Sequence, residues 1–271
     1  MTGSNEWWEW DRKIALAVTE PHALHRARMI VRGVVAESAA VSDSRRGDAE
    51  IHSVNLAQGT PVTMSPRLAS MLRSALWAAR MTGGAVTPLD SDDTSLDADA
   101  IPPIHPIPTY LDVQIDGDTV LAPFGVNLEL GATAVADTVD YAAALVTSLL
   151  GCGVLVRIDS VVATAGRSPA GGWQVPLPDR GAVELPPGSA IASHVNDVAT
   201  SHIGDVTARD RWRIVTVIAP DAVWADAAAA TALQRGIGAL SWLEQYDLAA
   251  RLVDTHGRVR TTTAWSDPKA A

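Results

Sequence analysis

Strand-like and helix-like segments follow one another along this chain without a strict alternation. Residues 13–18 (KIALAV) have the apolar pattern of a strand, and the segment after them has helical spacing. The pattern further predicts strands at 154–166 and 211–220, a helix beginning near Thr133 and another helix at 238–254. Because a doubly wound parallel sheet requires regular alternation, this order predicts an α+β fold with mixed sheets and packed helices.

The segment 65–84 gives the clearest helix prediction. Ser65 is a preferred N-cap residue, and Pro66 suits the first helical position. Gly83 or Gly84 can end the helix, because glycine adopts the left-handed conformation that a C-terminal cap requires. Both ends of this helix are therefore marked in the sequence.

An acidic and proline-rich stretch at 89–108 interrupts the chain, which we otherwise expect to form a single domain over 1–271. Such a composition buries too little apolar surface to order itself, so the stretch predicts a loop or insert. Its aspartates do not match the pattern of a calcium loop, because no glycine follows at the sixth position and no glutamate at the twelfth, so a solvated loop is the favoured interpretation. A hairpin is expected further on, at Asp116 and Gly117.

Composition limits the partners and the compartment. The formal charge of −10 and the pI near 5.0 disfavour nucleic acids, which require clustered basic side chains. Cys152, the only cysteine, lies in an apolar stretch and cannot form an internal disulfide. The N-terminus lacks the pattern of a signal peptide, and no stretch approaches the roughly 20 apolar residues that cross a bilayer. We expect a cytoplasmic protein without membrane insertion.

Common catalytic motifs are absent from the sequence. Neither GxGxxG nor GxxxxGK[ST] occurs where a strand meets a helix, and there is no GxSxG elbow for a serine nucleophile. The turn at Gly131, before a helix, could present backbone N–H groups to an anion, although it also reads as an ordinary strand-to-helix turn. Cys152 lacks the electropositive surroundings of a reactive thiol.

Two other groups carry possible chemistry. The segment 194–205 holds His194, Asp197, His202 and Asp205, which could form a metal site or an acid–base pair, but their spacing matches no established zinc pattern. Scattered loop histidines are the alternative. Asp226, near the start of an alanine-rich helix, could cap that helix or could hold a ligand.

The order of several segments resembles the ApbE family of FAD:protein FMN transferases, in its compact cytoplasmic, actinobacterial form. The resemblance covers residues from about 13 to 265. It is carried by GDAEIHSVN, SPRLASMLRSALWAARMTGGAVTP, NLELGATAVADTVDYAAALV, GGWQVPLPD, AIASHVND, HIGD and VTVIAPDAVWADAAAATAL, in that order. The resemblance implies an ApbE-like fold of two intertwined subdomains.

The resemblance also implies an activity. Such an enzyme binds FAD, uses Mg²⁺ and transfers FMN to a threonine or serine hydroxyl of a target flavoprotein, releasing AMP. Asp226 and the Ala134 carbonyl then correspond to the magnesium ligands, and Thr231 is a possible substitute ligand. His202 corresponds to the residue that orients or deprotonates the acceptor hydroxyl. The residues that match the family's FAD-binding segments are Asn55, Gly131, Thr133, Asp140 and Asp205.

Several positions depart from the family pattern, and they leave alternatives open. They are Thr87, Ala132, Val135, Ala136 and Ala230. One alternative is a homologue that binds flavin or serves as a scaffold without transfer. Another is a metal-dependent hydrolase that uses His194, His202, Asp205 and Asp226.

Overall fold

The structure is a computed structural model that describes residues 2–90, 108–196 and 212–265. Within these ranges the helices are α1 (Leu24–Ser42), α2 (Ile51–Leu56), α3 (Pro66–Thr82), α4 (Gly131–Leu150), α5 (Ala222–Arg235) and α6 (Ala239–Gln245). The strands are β1 (Gly3–Glu9), β2 (Arg12–Val18), β3 (Val62–Thr63), β4 (Gln114–Asp116), β5 (Thr119–Leu121), β6 (Val154–Ile158), β7 (Val161–Ala165), β8 (Trp173–Pro176), β9 (Ala182–Leu185), β10 (Ala190–Val195), β11 (Trp212–Ala219), β12 (Ala249–Asp254) and β13 (Val259–Thr261).

The chain divides into two compact units. The first contains residues 1–34 and 136–271, and the second contains residues 35–135. The first unit is built on an eight-stranded sheet with the order β1-β2-β6-β7-β10-β11-β12-β13, in which every pairing is antiparallel. Within the described ranges, helices are therefore combined with antiparallel sheets, and the α+β prediction is confirmed.

The two faces of the large sheet carry different partners. Because side chains alternate along a strand, Ile191 and His194 of β10 point to opposite faces. Ile191 packs against the β8–β9 hairpin, whereas His194 contacts α5. The buried cluster under the hairpin comprises Val162, Trp173, Val175, Leu177, Val183, Leu185, Ile191 and Trp265. The face that carries α5 is the one that holds the candidate site.

The second unit confirms the helix with two marked ends. Ser65 accepts a hydrogen bond from the Leu68 N–H at 3.3 Å, Pro66 is the first residue of α3, and Gly83 ends the helix at a φ of 64°. Glu50 accepts hydrogen bonds from both the N–H and the hydroxyl of Ser65. The expected hairpin is also present as β4 and β5, around a turn at residues 117–118.

The helix expected at 238–254 is wrong over its second half. Helix α6 ends at Gln245, and residues 249–254 form β12 between β11 and β13. Asp247 adopts a φ of 52°, which breaks the helix, and the alternation of buried positions in β12 suits a strand. The single strand expected at 154–166 is likewise two strands, because Asp159 turns the chain at a φ of 51°.

Two further features concern burial. Cys152 is buried and free, and burial raises the pKa of its thiol.

Helix α4 is long and apolar enough to cross a membrane by length and composition, but 56% of its most apolar 18-residue segment is buried inside the protein. Such burial is typical of the core helix of a soluble protein.

Candidate active site

Asp226 does not cap α5. The cap is Asp221, whose carboxylate accepts a hydrogen bond from the Trp224 N–H at 2.8 Å. Asp226 is the fifth residue of the helix, beyond the positions whose backbone N–H groups need a cap. The cap hypothesis for Asp226 is therefore wrong.

The Asp226 side chain instead forms a close pair with His194. The distance between His194 Nε2 and Asp226 Oδ1 is 2.7 Å, and the two side chains are 35% and 14% exposed. Burial alone would lower the pKa of His194, but the hydrogen bond and the negative charge of Asp226 outweigh it and hold that pKa above its usual value. A charge-assisted pair of this length is strong and directional.

A cavity of about 560 Å³ lies beside this pair. It is lined by His194, Asn196, Ala230, Leu233 and Gln234, among others. Its lining therefore combines an imidazole, two side-chain amides and the apolar surface of α5. Such a mixture can hold a ligand that has both polar and apolar parts.

The donors available to a metal ion on α5 are few. Asp226 Oδ2 has no hydrogen-bond partner within the described ranges, so one carboxylate oxygen remains for a cation. Ala230, one turn further on, lines the cavity but has no side-chain oxygen. Thr231 is fully buried, and its hydroxyl has no hydrogen-bond partner in the described part of the chain. The described residues contain no cluster of three or more His, Cys, Asp or Glu side chains suited to a metal.

This donor set still fits magnesium in one common mode. Mg²⁺ prefers oxygen ligands and is often held by one or two carboxylates, with water and substrate phosphates filling the other positions. Asp226 Oδ2 meets that requirement as a single carboxylate ligand, and its hydrogen-bond partner His194 lines the cavity. The second ligand implied by the family resemblance, the Ala134 carbonyl, belongs to a buried residue in the first turn of α4.

Asp140 has a clear role at the start of α5. Its carboxylate accepts hydrogen bonds from the Ala222 N–H at 2.8 Å and from the Val223 N–H at 3.2 Å. Burial raises the pKa of Asp140 to about 7, against the lowering effect of these bonds. Asp140 thus stabilises the N-terminus of α5 from α4. This contact occupies the carboxylate that the resemblance places among the FAD-binding groups.

Three of the other predicted FAD-binding residues, Asn55, Gly131 and Thr133, lie in the second unit. Both polar atoms of the Asn55 amide bond the backbone of Leu128, at 2.8 and 3.1 Å. Gly131 is exposed at the first position of α4, and its N–H donates to Glu129 Oε1. Thr133 is buried, with its hydroxyl directed at the Leu130 carbonyl. Asn55 therefore fixes the segment that leads into α4.

Three predicted groups, Asp197, His202 and Asp205, lie outside the described residues. Of the histidines in that part of the sequence, only His194 is described. Sequence reasoning grouped His194 with Asp226 only in the hydrolase alternative and did not predict the direct hydrogen bond between them, because 32 residues separate the two. No local spacing signals a contact between a strand and a distant helix.

The fold and the site together define a class of protein. It is an α+β protein with an antiparallel sheet, one face of which carries a helix whose partly buried carboxylate is hydrogen-bonded to a histidine that lines a cavity. The chain belongs to the ApbE family, since residues 13–252 match the family model. No curated protein matches the chain.

Solved structures support the fold. The apo flavinyl transferase ApbE of Pseudomonas stutzeri is similar, with a TM-score of 0.80, 16% identity and coverage of 97% of this chain and 96% of that one. The flavin transferase ApbE of Vibrio cholerae has a TM-score of 0.75 at 17% identity, with 98% of each chain covered. The ApbE protein of Thermotoga maritima has a TM-score of 0.75 at 16% identity, with 97% of each chain covered.

Proposed function

We propose that this protein is an FAD:protein FMN transferase. In this reaction FAD donates its FMN half to a threonine or serine hydroxyl of a target flavoprotein, and AMP leaves. The match of residues 13–252 to the ApbE family model carries this proposal. Flavin transferases among the structurally similar proteins support it, because they share the fold over nearly the whole chain.

The chemistry requires two things from the protein. The acceptor hydroxyl must lie in line with the bond between the FMN phosphorus and the AMP oxygen, and the pyrophosphate charge must be neutralised. The hydroxyl oxygen forms a bond to the FMN phosphorus, the bond to the AMP oxygen breaks, and the hydroxyl proton passes to a base. Bound magnesium would supply the charge neutralisation.

The residues take the following roles in this proposal. Asp226 would hold the cation through its carboxylate, with the Ala134 carbonyl as the second protein ligand that the resemblance implies. His202 orients the acceptor hydroxyl or accepts its proton. The groups proposed to bind FAD are Asn55, Gly131, Thr133, Asp140 and Asp205.

One observation favours a second candidate, a flavin-binding homologue without transfer. On α5 the position one turn after Asp226 is Ala230, which lines the cavity but has no side-chain oxygen. The hydroxyl of the next residue, Thr231, is buried. The cation would then be held less firmly than a transfer reaction needs. A metal-dependent hydrolase that uses His194, His202, Asp205 and Asp226 is the further alternative, and two of its four residues, His202 and Asp205, lie outside the described ranges.

Titration of the purified protein with FAD, with and without Mg²⁺, tests the proposal by calorimetry. Magnesium-dependent binding in the micromolar range or tighter is expected, accompanied by AMP release when acceptor flavoproteins from the same cell are added. Tight FAD binding without AMP release would favour the second candidate. No FAD binding under either condition would contradict both.

Asp226→Asn removes the ligand charge while keeping the size of the side chain, so we expect FAD binding to lose its magnesium dependence. Asp221→Asn is the matched control at the start of the same helix, because asparagine also caps a helix. The Asp221 carboxylate accepts a hydrogen bond from the Trp224 N–H and takes no part in the proposed metal site. Unchanged magnesium dependence in Asp226→Asn would remove Asp226 from the metal site.

A further inference from the structure

We propose that His194 is the positioning residue of the metal site. Its Nε2–H donates to Asp226 Oδ1 and holds the carboxylate in one orientation, which leaves Oδ2 for the cation. The inference rests on the proposed function, because it gives a role to a residue beside the proposed magnesium ligand. It deepens that function by adding a group that the family resemblance does not assign.

The backbone of His194 is well fixed. His194 lies in β10, which is paired on one side with β11, and its direct partner in that ladder is Val215. Helix α5 packs against both strands. The hydrogen bond from His194 therefore ties the second turn of α5 to an interior strand of the large sheet, and the imidazole has little freedom to move away from the carboxylate.

The burial of the Asp226 side chain makes its hydrogen bond to His194 difficult to replace. The Asp226 side chain is only 14% exposed, so water cannot readily replace the imidazole as its hydrogen-bond donor. A carboxylate ligand works best when an outer partner holds its second oxygen, since the metal then meets a fixed geometry. The pair of a partly buried Asp226 and a donating His194 has that arrangement.

The composition of α5 makes orientation more important here. Ala230 provides no side-chain oxygen to the cavity, Thr231 is buried, and Asp226 is the only carboxylate in α5. A site with a single carboxylate has no second carboxylate to fix the position of the cation. The hydrogen bond from His194 of β10 fixes the orientation of the Asp226 carboxylate instead.

Direct measurement of Mn²⁺ binding to the apo protein, by electron paramagnetic resonance without FAD, tests this role. His194→Ala should weaken Mn²⁺ binding by about tenfold or more, the range seen when outer partners of metal ligands are removed. His194→Gln should recover most of the affinity, because its amide N–H can donate to the same carboxylate oxygen. His256→Ala, an exposed histidine in the β12–β13 turn, is the matched control and should bind as the wild type does.

Several outcomes would overturn the inference. They are absence of Mn²⁺ binding in the wild type, unchanged or tighter binding in His194→Ala, and a His194→Gln variant as weak as His194→Ala. Circular dichroism melting of each variant separates loss of the fold from loss of the site. A wild type that binds Mn²⁺ but not FAD, with weaker Mn²⁺ binding in His194→Ala, would contradict the proposed function and leave the role of His194 standing.

Discussion

Thr231 and Ala230 are neighbours on α5 but have different surroundings. Ala230 faces the cavity, whereas Thr231 is 0% exposed and its hydroxyl has no hydrogen-bond partner among the described residues. One residue along a helix corresponds to a rotation of about 100°. The sequence had suggested Thr231 as a substitute metal ligand, and that role remains a prediction that its burial disfavours.

Thr231→Val distinguishes a buried hydroxyl from a ligand. Valine has nearly the same shape and removes an unsatisfied polar group, so we expect the free energy of unfolding to rise by about 1 kcal/mol. We also expect the magnesium dependence of FAD binding to stay unchanged. Denaturant unfolding and calorimetry measure the two quantities. A stable variant that lost its magnesium dependence would establish Thr231 as a ligand.

At the scale of elements, the residue before β6 lies very close to the segment that follows β7. A Cβ added to Gly153 would overlap the backbone carbonyl oxygen of Arg167, and backbone atoms cannot move aside cheaply. The Gly153 N–H also donates a hydrogen bond to the Thr19 hydroxyl oxygen, at 2.9 Å. Glycine is thus required here for close packing of the chain, between the end of α4 and the first strand of a hairpin.

Gly153→Ala should therefore lower the free energy of unfolding by about 3 kcal/mol or more. Gly33→Ala is the matched control, because Gly33 is exposed within α1 and an added Cβ would meet nothing within 4 Å. In that position alanine should stabilise the protein by about 0.5–1 kcal/mol. Urea denaturation of both variants checks this. Equal effects of the two substitutions would show that the packing around Gly153 is looser than described.

For the whole molecule, the pH dependence of stability reflects Asp140. Its pKa is about 7 in the folded protein because burial disfavours the charged form, and it returns to the ordinary value near 3.8 on unfolding. The protonated form is therefore favoured in the folded state. Its contribution to stability is complete below the unfolded pKa and is lost as pH rises through the folded one.

Asp140→Asn should remove this part of the pH dependence. In the wild type, Asp140 makes the free energy of unfolding fall between about pH 4 and pH 7, by at most about 1.4 kcal/mol per pH unit for one proton. Asparagine keeps a carbonyl that can accept from the Ala222 N–H, so α5 should remain capped from α4. Unfolding measured across this pH range tests the prediction. An unchanged slope in Asp140→Asn would assign the dependence to other groups.

The sequence alone determined the features that depend on neighbouring residues. The ends of α3 followed from Ser65, Pro66 and Gly83, since capping is decided within one turn of the helix. The α+β class followed from the order of the patterns. The ApbE resemblance followed from the order of short segments along the chain, and the family model confirmed it.

The tertiary structure decided what depends on distant residues. Residues 249–254 form a strand because β11 and β13 pair with them, although their local pattern also suited a helix. Asp140 stabilises α5 from 82 residues away, and His194 holds Asp226 from 32 residues away. The sequence singled out Asp226 as a cap or a ligand, and only the packing of α5 on β10 showed its partner. Contacts of this kind depend on how separate elements pack, which no local pattern records.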